Sequence, residues 1–248
     1  SDDDEKGTEE DKGQWAMIFN ESVKNDSNPV DKTEKFMFDG ERLIQHIIKQ
    51  RYFEEEISNE VNLSYSDNQV TVTTDYLTLV YTLNSEGYAS QCVYSLSSQN
   101  RIYQFSYSAE GYLTGIVENI DNTEYSSTSL TYENGDITSI SSKMNGLENK
   151  FIYEPGEESS TYHLPCLGLL EIHPLTFHIE ALYAGLLGKD PRHFTIRSCP
   201  AGSNDEKTIY SYEFDKKGNP SRMICQTTYA GGQANYYPYT RNISVSFE

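Results

Sequence analysis

The chain has 248 residues, only 36% of them hydrophobic, and a formal net charge of −19. A nucleic-acid binder needs cations that displace counterions from phosphate, so this charge excludes that class and disfavours anionic membrane surfaces. No run reaches the roughly 18 apolar residues of a spanning helix. No strand-like run keeps the roughly 9–11 residues of clean alternation that a membrane barrel requires, and the chain reads as soluble.

Residues 1–13 hold seven acids against two lysines. Such a stretch cannot bury apolar surface and reads as a disordered acidic tail. Residues 14–248 read as a single β-repeat domain. Its signature is a strand–turn–strand unit that recurs along most of the chain, and such a period dictates the architecture. The units run from about Phe36 to Tyr153 and resume near Tyr210. Gly87, Gly111 and Gly135 are spaced by 24 residues, room for two strands of about eight residues and two turns.

Three units carry one kind of turn: Asn84-Ser85-Glu86-Gly87, Ser108-Ala109-Glu110-Gly111 and Asp215-Lys216-Lys217-Gly218. A short polar residue opens a type I turn by bonding nearby backbone, and the glycine takes positive φ as the chain returns antiparallel. Asn134-Gly135 is a shorter version. Asp39-Gly40 and Ser66-Asp67-Asn68-Gln69 look like weaker copies, with Asn68 standing in for glycine. After each glycine the apolar residues fall three apart, at Leu113 and Ile116, Ile137 and Ile140, Pro220 and Met223. A flat strand alternates with period two. Either a bulge intervenes or both strand faces are partly covered, and Gly115 favours a bulge in one copy. The fold expected is mainly all-β: a curved antiparallel β-meander or open barrel of repeated hairpins.

Residues 157–207 interrupt the repeats as an insertion rich in His, Leu and Pro. Leu175, Ile179, Leu182, Tyr183 and Leu186 fit one helical face, with Pro174 in the first turn and Gly188 just past the end. This predicts one helical insertion near 172–187, covering a sheet face or plugging the open end. His173 and His178 are five apart and do not share a helix face as metal ligands four apart would. His163 and Cys166 lie nearby, but no second paired motif exists, so the histidines read as structural and no metal or other cofactor is expected. Cys166 and Cys199 flank the insertion beside prolines, and a disulfide between them would clip its ends. Cys92 and Cys225 sit in strand-like runs and read as buried apolar residues. No phosphate loop, nucleophile elbow or zinc-protease helix appears, and no catalytic residue is nominated.

The units at Tyr107, Tyr132 and Tyr212 follow Tyr-x(2–5)-Gly-x-(Leu/Ile)-x-x-(Ile/Met), with Pro220 at the Leu/Ile place in the last. They resemble the repeats of a secreted Bacteroidetes family of unknown function with a porin-like fold, domain of unknown function 4595. They are also distantly similar to the tyrosine-aspartate repeats of bacterial toxin shells. Ala181-Leu182-Tyr183-Ala184-Gly185-Leu186-Leu187-Gly188 looks like the helical segment of that family. Ser1-Asp2-Asp3-Asp4-Glu5 resembles the acidic tract after the lipidated cysteine of surface-exported Bacteroidetes lipoproteins. The resemblance implies an outer-membrane lipoprotein of the cell envelope, surface-exposed and touching the membrane only through an N-terminal lipid anchor. It supplies no catalytic residues.

The leading reading is a non-enzymatic cell-surface or periplasmic binding module. Tyr88 and Tyr112, at turn positions, are its candidate binding residues, for a glycan or another envelope protein. One alternative is an envelope hydrolase acting on glycans, marked by two carboxyls about 5–10 Å apart with a raised pKa. Another is a structural subunit of an outer-membrane complex, marked by an apolar patch or an unpaired sheet edge.

Overall fold

The computed structural model describes residues 13–24, 30–52, 54–96, 99–160, 164–203, 205–228 and 239–248. The expected acidic tail before Gly13 lies outside them, as does His163. Sixteen strands follow in chain order: β1 (Gln14–Lys24), β2 (Val30–Asp39), β3 (Arg42–Tyr52), β4 (Glu55–Ser66), β5 (Gln69–Thr73), β6 (Thr78–Leu83), β7 (Ala89–Leu96), β8 (Gln99–Tyr107), β9 (Leu113–Ile120), β10 (Thr123–Glu133), β11 (Asp136–Met144), β12 (Leu147–Ser159), β13 (His193–Pro200), β14 (Lys207–Phe214), β15 (Pro220–Thr228) and β16 (Tyr239–Phe247). Each pairs antiparallel with its neighbours in sequence. The meander is closed rather than open, because β16 pairs β1 in continuous register from Met17–Phe247 to Lys24–Thr240.

The gap of three between apolar residues is a β-bulge in every copy. Registers slip between Thr82 and Leu83, Ser106 and Tyr107, Thr131 and Tyr132, and Glu213 and Phe214. The residues passed over are Ser90, Thr114, Thr138 and Ser221. Each donates its hydroxyl to a carbonyl on the partner strand: Thr82 at 3.1 Å, Ser106 at 3.2 Å, Thr131 at 3.1 Å and Glu213 at 3.2 Å. The extra residue turns the next side chain back inward, so Ala89 and Cys92, Leu113 and Ile116, and Ile137 and Ile140 are all buried. In β3 the same slip passes over Ile44 and makes Leu43 and His46 the inward pair.

The turns behave as read. Asn84 Oδ1 accepts from the amides of Glu86 and Tyr88, and Asp215 Oδ1 from those of Lys217 and Asn219. Gly87, Gly111 and Gly218 have φ of 85°, 95° and 83°. In the turn after β4 the left-handed residue is Asp67 (φ 31°), not Asn68. All these turns follow even-numbered strands and so lie at one end of the barrel, hereafter the glycine end. There the hairpins splay, and at three of the gaps a tyrosine bridges them. Tyr65, Tyr107 and Tyr212 donate to the bulge carbonyls of Leu43, Ala89 and Thr195 at 2.6–2.7 Å.

Side chains alternate across the wall. On β4, Val61 and Leu63 face in while Asn62 and Ser64 face out; on β10, Leu130 faces in while Ser129 and Thr131 face out. A lipid-facing barrel carries an apolar outer band; on β4 and β10 the outward positions are hydroxyls and amides, while Val80, Val93, Ile102 and Val117 face out on β6 to β9 and Ile152 is exposed on β12. No helix among the described residues is long and apolar enough to cross a membrane.

The lumen is filled by residues 164–192, the described part of the segment between β12 and β13, here called the plug. The stretch between the repeats thus holds β13 as well as the plug. The single long helix expected near 172–187 is absent. Two 3-10 turns (Leu167–Glu171 and Leu175–Phe177) and one short helix, α1 (Ile179–Tyr183), take its place. A helix surrounded by wall needs no single apolar face. Leu164, Leu167, Leu169, Leu175, Ala181, Tyr183, Leu186 and Leu187 are buried in all directions, and Gly185 (φ 72°) ends α1 early. Nor do Cys166 and Cys199 form a disulfide; all four cysteines are free. Successive strand residues point to opposite faces. Ser198 faces the lumen, bonded to the Tyr210 hydroxyl at 3.0 Å, so Cys199 points outward while Cys166 is buried within.

The plug leaves along the rim of the glycine end as a strap. The Leu186 carbonyl accepts from the Ala89 amide at 2.7 Å, and the Lys189 and Arg192 amides donate to Gly111 and Gly135, each at 2.9 Å. One contact falls every three residues, one per hairpin. Three extended residues span about 10 Å, and so do two strands of a sheet, so strap and hairpins stay in step. Gly188 (φ 90°) has no room for a side chain, since a Cβ would lie 2.7 Å from the Gly111 carbonyl. Gly188→Ala should therefore destabilise by about 1–3 kcal/mol. Gly218→Ala, in open space, should cost less, about 1 kcal/mol. Urea denaturation of the two variants tests the ranking.

Candidate functional site: a chamber beside the plug

The plug carries polar residues into the barrel, and His173, His178 and Glu180 each meet a wall partner. His46 on β3 is fully buried; its Nδ1 contacts Glu180 of α1 at 2.9 Å, and its Nε2 contacts Glu34 on β2 at 3.1 Å. Its ring stacks on Phe36 at 4.1 Å. Burial opposes the charge of His46, but bonds to Glu180 and Glu34 raise its pKa above 6.5. Burial alone would push Glu34 up, yet His46 and Lys32 hold it below 4.5. The imidazolium is thus a cationic link between wall and plug.

His173 donates from Nε2 to the buried Glu118 on β9 at 2.7 Å. Its carbonyl accepts from Thr128 and Ser142. Burial opposes the charge on Glu118, but His173, Tyr103 and Ser126 hold its pKa below 4.5. His178 bonds the Tyr81 hydroxyl at 2.6 Å through Nδ1. Complete burial lowers its pKa to about 3, so it stays neutral. Glu171 meets Arg241 on β16 at 3.2 Å, and Arg241 also bonds Glu21. Of the histidines read as structural, His173 and His178 are bonded to the wall, and His163 lies outside the described residues. The buried acids Glu34 and Glu118 are lowered, the opposite of the raised carboxyl that would mark a hydrolase.

At the end opposite the glycine turns the plug leaves a chamber of about 500 Å3. Phe151 and Tyr153 on β12 and Tyr210 on β14 form its aromatic walls. Ser142, Asn149, Ser198 and Thr227 add polar groups, and Glu171, Ile172 and His173 form the plug side. Asn145, Leu147, Glu206 and Lys207 line its mouth. Burial pushes the Tyr153 and Tyr210 phenols up, so both remain neutral hydroxyls. Size, aromatic walls and a few convergent polar groups are the usual marks of a small-molecule site.

The model of a domain of unknown function (DUF4595) with porin-like fold matches residues 36–222. The chain belongs to this family. A porin-like protein from Bacteroides uniformis of known crystal structure shares 26% identity at a TM-score of 0.84, covering 94% of this chain and 96% of that one. A porin-like protein from Bacteroides vulgatus shares 11% identity at a TM-score of 0.57, over 92% of this chain and 97% of that one, and shows the fold alone. No curated protein matches the chain. In this DUF4595 member the porin-like barrel is occupied by its own plug.

The tyrosines nominated from the sequence lie at the glycine end, away from the chamber. Tyr88 packs against Tyr107 with ring centroids 5.4 Å apart, and Tyr112 stacks on Tyr132 at 5.0 Å. Sequence reasoning missed Phe151, Tyr153 and Tyr210. Their signal was present as aromatics on the inward phase of β12 and β14, but nothing local says that plug and wall part there.

His46→Ala should destabilise by about 3–5 kcal/mol below pH 6.5, because it removes the cation shared by Glu34 and Glu180 and leaves Glu34 only Lys32. Glu34 and Glu118, with depressed values, contribute stability present above pH 4.5 and lost as pH falls through those values. His46, with a raised value, contributes stability fully present below pH 6.5 and lost as pH rises above 6.5 through its raised folded-state pKa. Melting temperature should therefore drop on the acid side of pH 4.5, and Glu118→Gln should flatten part of that drop. An acid limb identical to wild type in Glu118→Gln would remove Glu118 from the account.

Proposed function

We propose that the protein is a non-enzymatic binding module of the cell envelope that holds a small saccharide-class ligand in the chamber. The chamber carries this reading: aromatic faces at Phe151, Tyr153 and Tyr210 beside hydroxyl and amide groups suit a ligand with apolar C–H faces and many hydroxyls. The similarity to a porin-like Bacteroides protein supports the envelope. A tether through the N-terminus would present the chamber away from its attachment, because Gly13 bonds the Gly40 amide at the glycine end. The plug that fills the lumen weighs against a conducting pore. The structural-subunit alternative has little support: the closed barrel offers no free edge among the described strands.

Screening purified protein against neutral oligosaccharides, by glycan array followed by calorimetry, tests the reading. A saccharide bound by wild type should bind about tenfold more weakly to Phe151→Ala, a loss of about 1.4 kcal/mol. Phe151 is only partly buried, so the variant should fold. Failure of every saccharide, or equal affinity in Phe151→Ala, would remove the chamber as the ligand site.

A further inference from the structure

The rim of the glycine end holds a second concavity, a groove of about 700 Å3 between the β8–β9 and β10–β11 turns. Its cations, Lys189 and Arg192, both come from the strap, and both are exposed. Their backbone amides are fixed to Gly111 and Gly135, so neither sits on a free loop. Lys189 Nζ lies 6.0 Å from the centroid of the Tyr112 ring, which itself stacks on Tyr132. Arg192 Nη1 donates to the Asn134 carbonyl at 3.3 Å, and its stem lies against Gly135. Neither cation forms an ion pair among the described residues. Both are thus free to meet an anionic ligand that enters the groove.

We propose that this groove binds an acidic saccharide through Lys189 and Arg192. Three extended residues separate the two, so their anchor points stand about 10 Å apart. Lys189 is held over Tyr112 of one hairpin and Arg192 at Asn134 of the next, so an oligomer carrying repeated carboxylates suits the pair better than a single acid group. The lining also contains Glu110, with Ser108, Thr131 and Asn134. A carboxylate and neutral hydroxyl and amide groups suit sugar hydroxyls, and Glu110 would repel a ligand that offers only negative charge. The closed sheet presents no edge on which an extended acidic peptide could add as a strand. Tyr112, with Lys189 over its ring, acts here by positioning the cation rather than by stacking on a sugar.

Calorimetry on the full chain with a tetramer of 1,4-linked galacturonate tests this. The tetramer should bind, and the Lys189→Gln/Arg192→Gln double variant should bind about tenfold or more weakly, as expected when charge-assisted bonds to carboxylate are lost. Both side chains are exposed, so the double variant should melt with wild type; Lys189→Arg with Arg192 intact should retain binding and guards against a folding artefact. Phe151→Ala should leave this affinity unchanged, which separates the groove from the chamber. Absence of binding, equal binding of the fully methyl-esterified tetramer, equal binding of a tetraglutamate peptide, or an unaffected double variant would each overturn the proposal.

Discussion

A sixteen-stranded barrel encloses more volume than its own inward side chains can fill. Left empty of protein, such a lumen holds water, as in a porin. Here the wall points Phe, Tyr, Leu, Ile and Met inward, and those groups need an apolar partner. The segment between β12 and β13 is that partner. It enters from the glycine end because an even-to-odd connection must begin and end there. The core is therefore neither a sandwich nor a filled small barrel: it is the contact between a wall and one folded-back stretch of the same chain.

The repeat makes that contact possible through a small geometric device. A bulge after each glycine turn adds one residue and lets two apolar side chains three positions apart face the lumen. Ser or Thr occupies the added position in four copies and bonds the partner strand, so the ladder loses little where it slips. The bulge also opens gaps between hairpins at one end. Tyrosines bridge three of those gaps, and the strap takes up backbone groups along the same rim. Spacing in the strap matches spacing in the wall because both are set by extended backbone geometry.

Polar groups give the plug its particular seat. Apolar contacts are weakly directional, and a loosely apolar segment could settle in several ways. His173, His178 and Glu180 each require a specific wall partner, and leaving any of them unpaired in the lumen would be costly. His46 takes the place that Cys92, Ile116, Ile140 and Met223 hold in other repeats, so the repeat gives up an apolar position to anchor the plug. The same arrangement decides where space remains: plug and wall part between β11 and β15, and the chamber forms there.

Much of this was legible in the sequence, for reasons that are local. Turn chemistry depends on Asn84, Ser108, Asp215 and the glycines three positions on, and it needs no distant partner. Strand identity and antiparallel order follow from those turns, and the family resemblance rests on the same residues. Closure was not legible, because it depends on β1 meeting β16 across the whole chain. The helix expected near 172–187 failed because a segment surrounded by wall is apolar on every side, so its pattern selects no face. The bridge between Cys166 and Cys199 failed because nearness in the insertion does not say on which side of the wall a side chain lies. His46, His173 and His178 each meet a partner 55 to 134 residues away in the chain. The sequence alone determined the hairpins and their turns, which are held by neighbours along the chain. Only the tertiary structure decided the closed wall, the seat of the plug, and the chamber and groove beside it, because each depends on groups that meet only when the barrel closes.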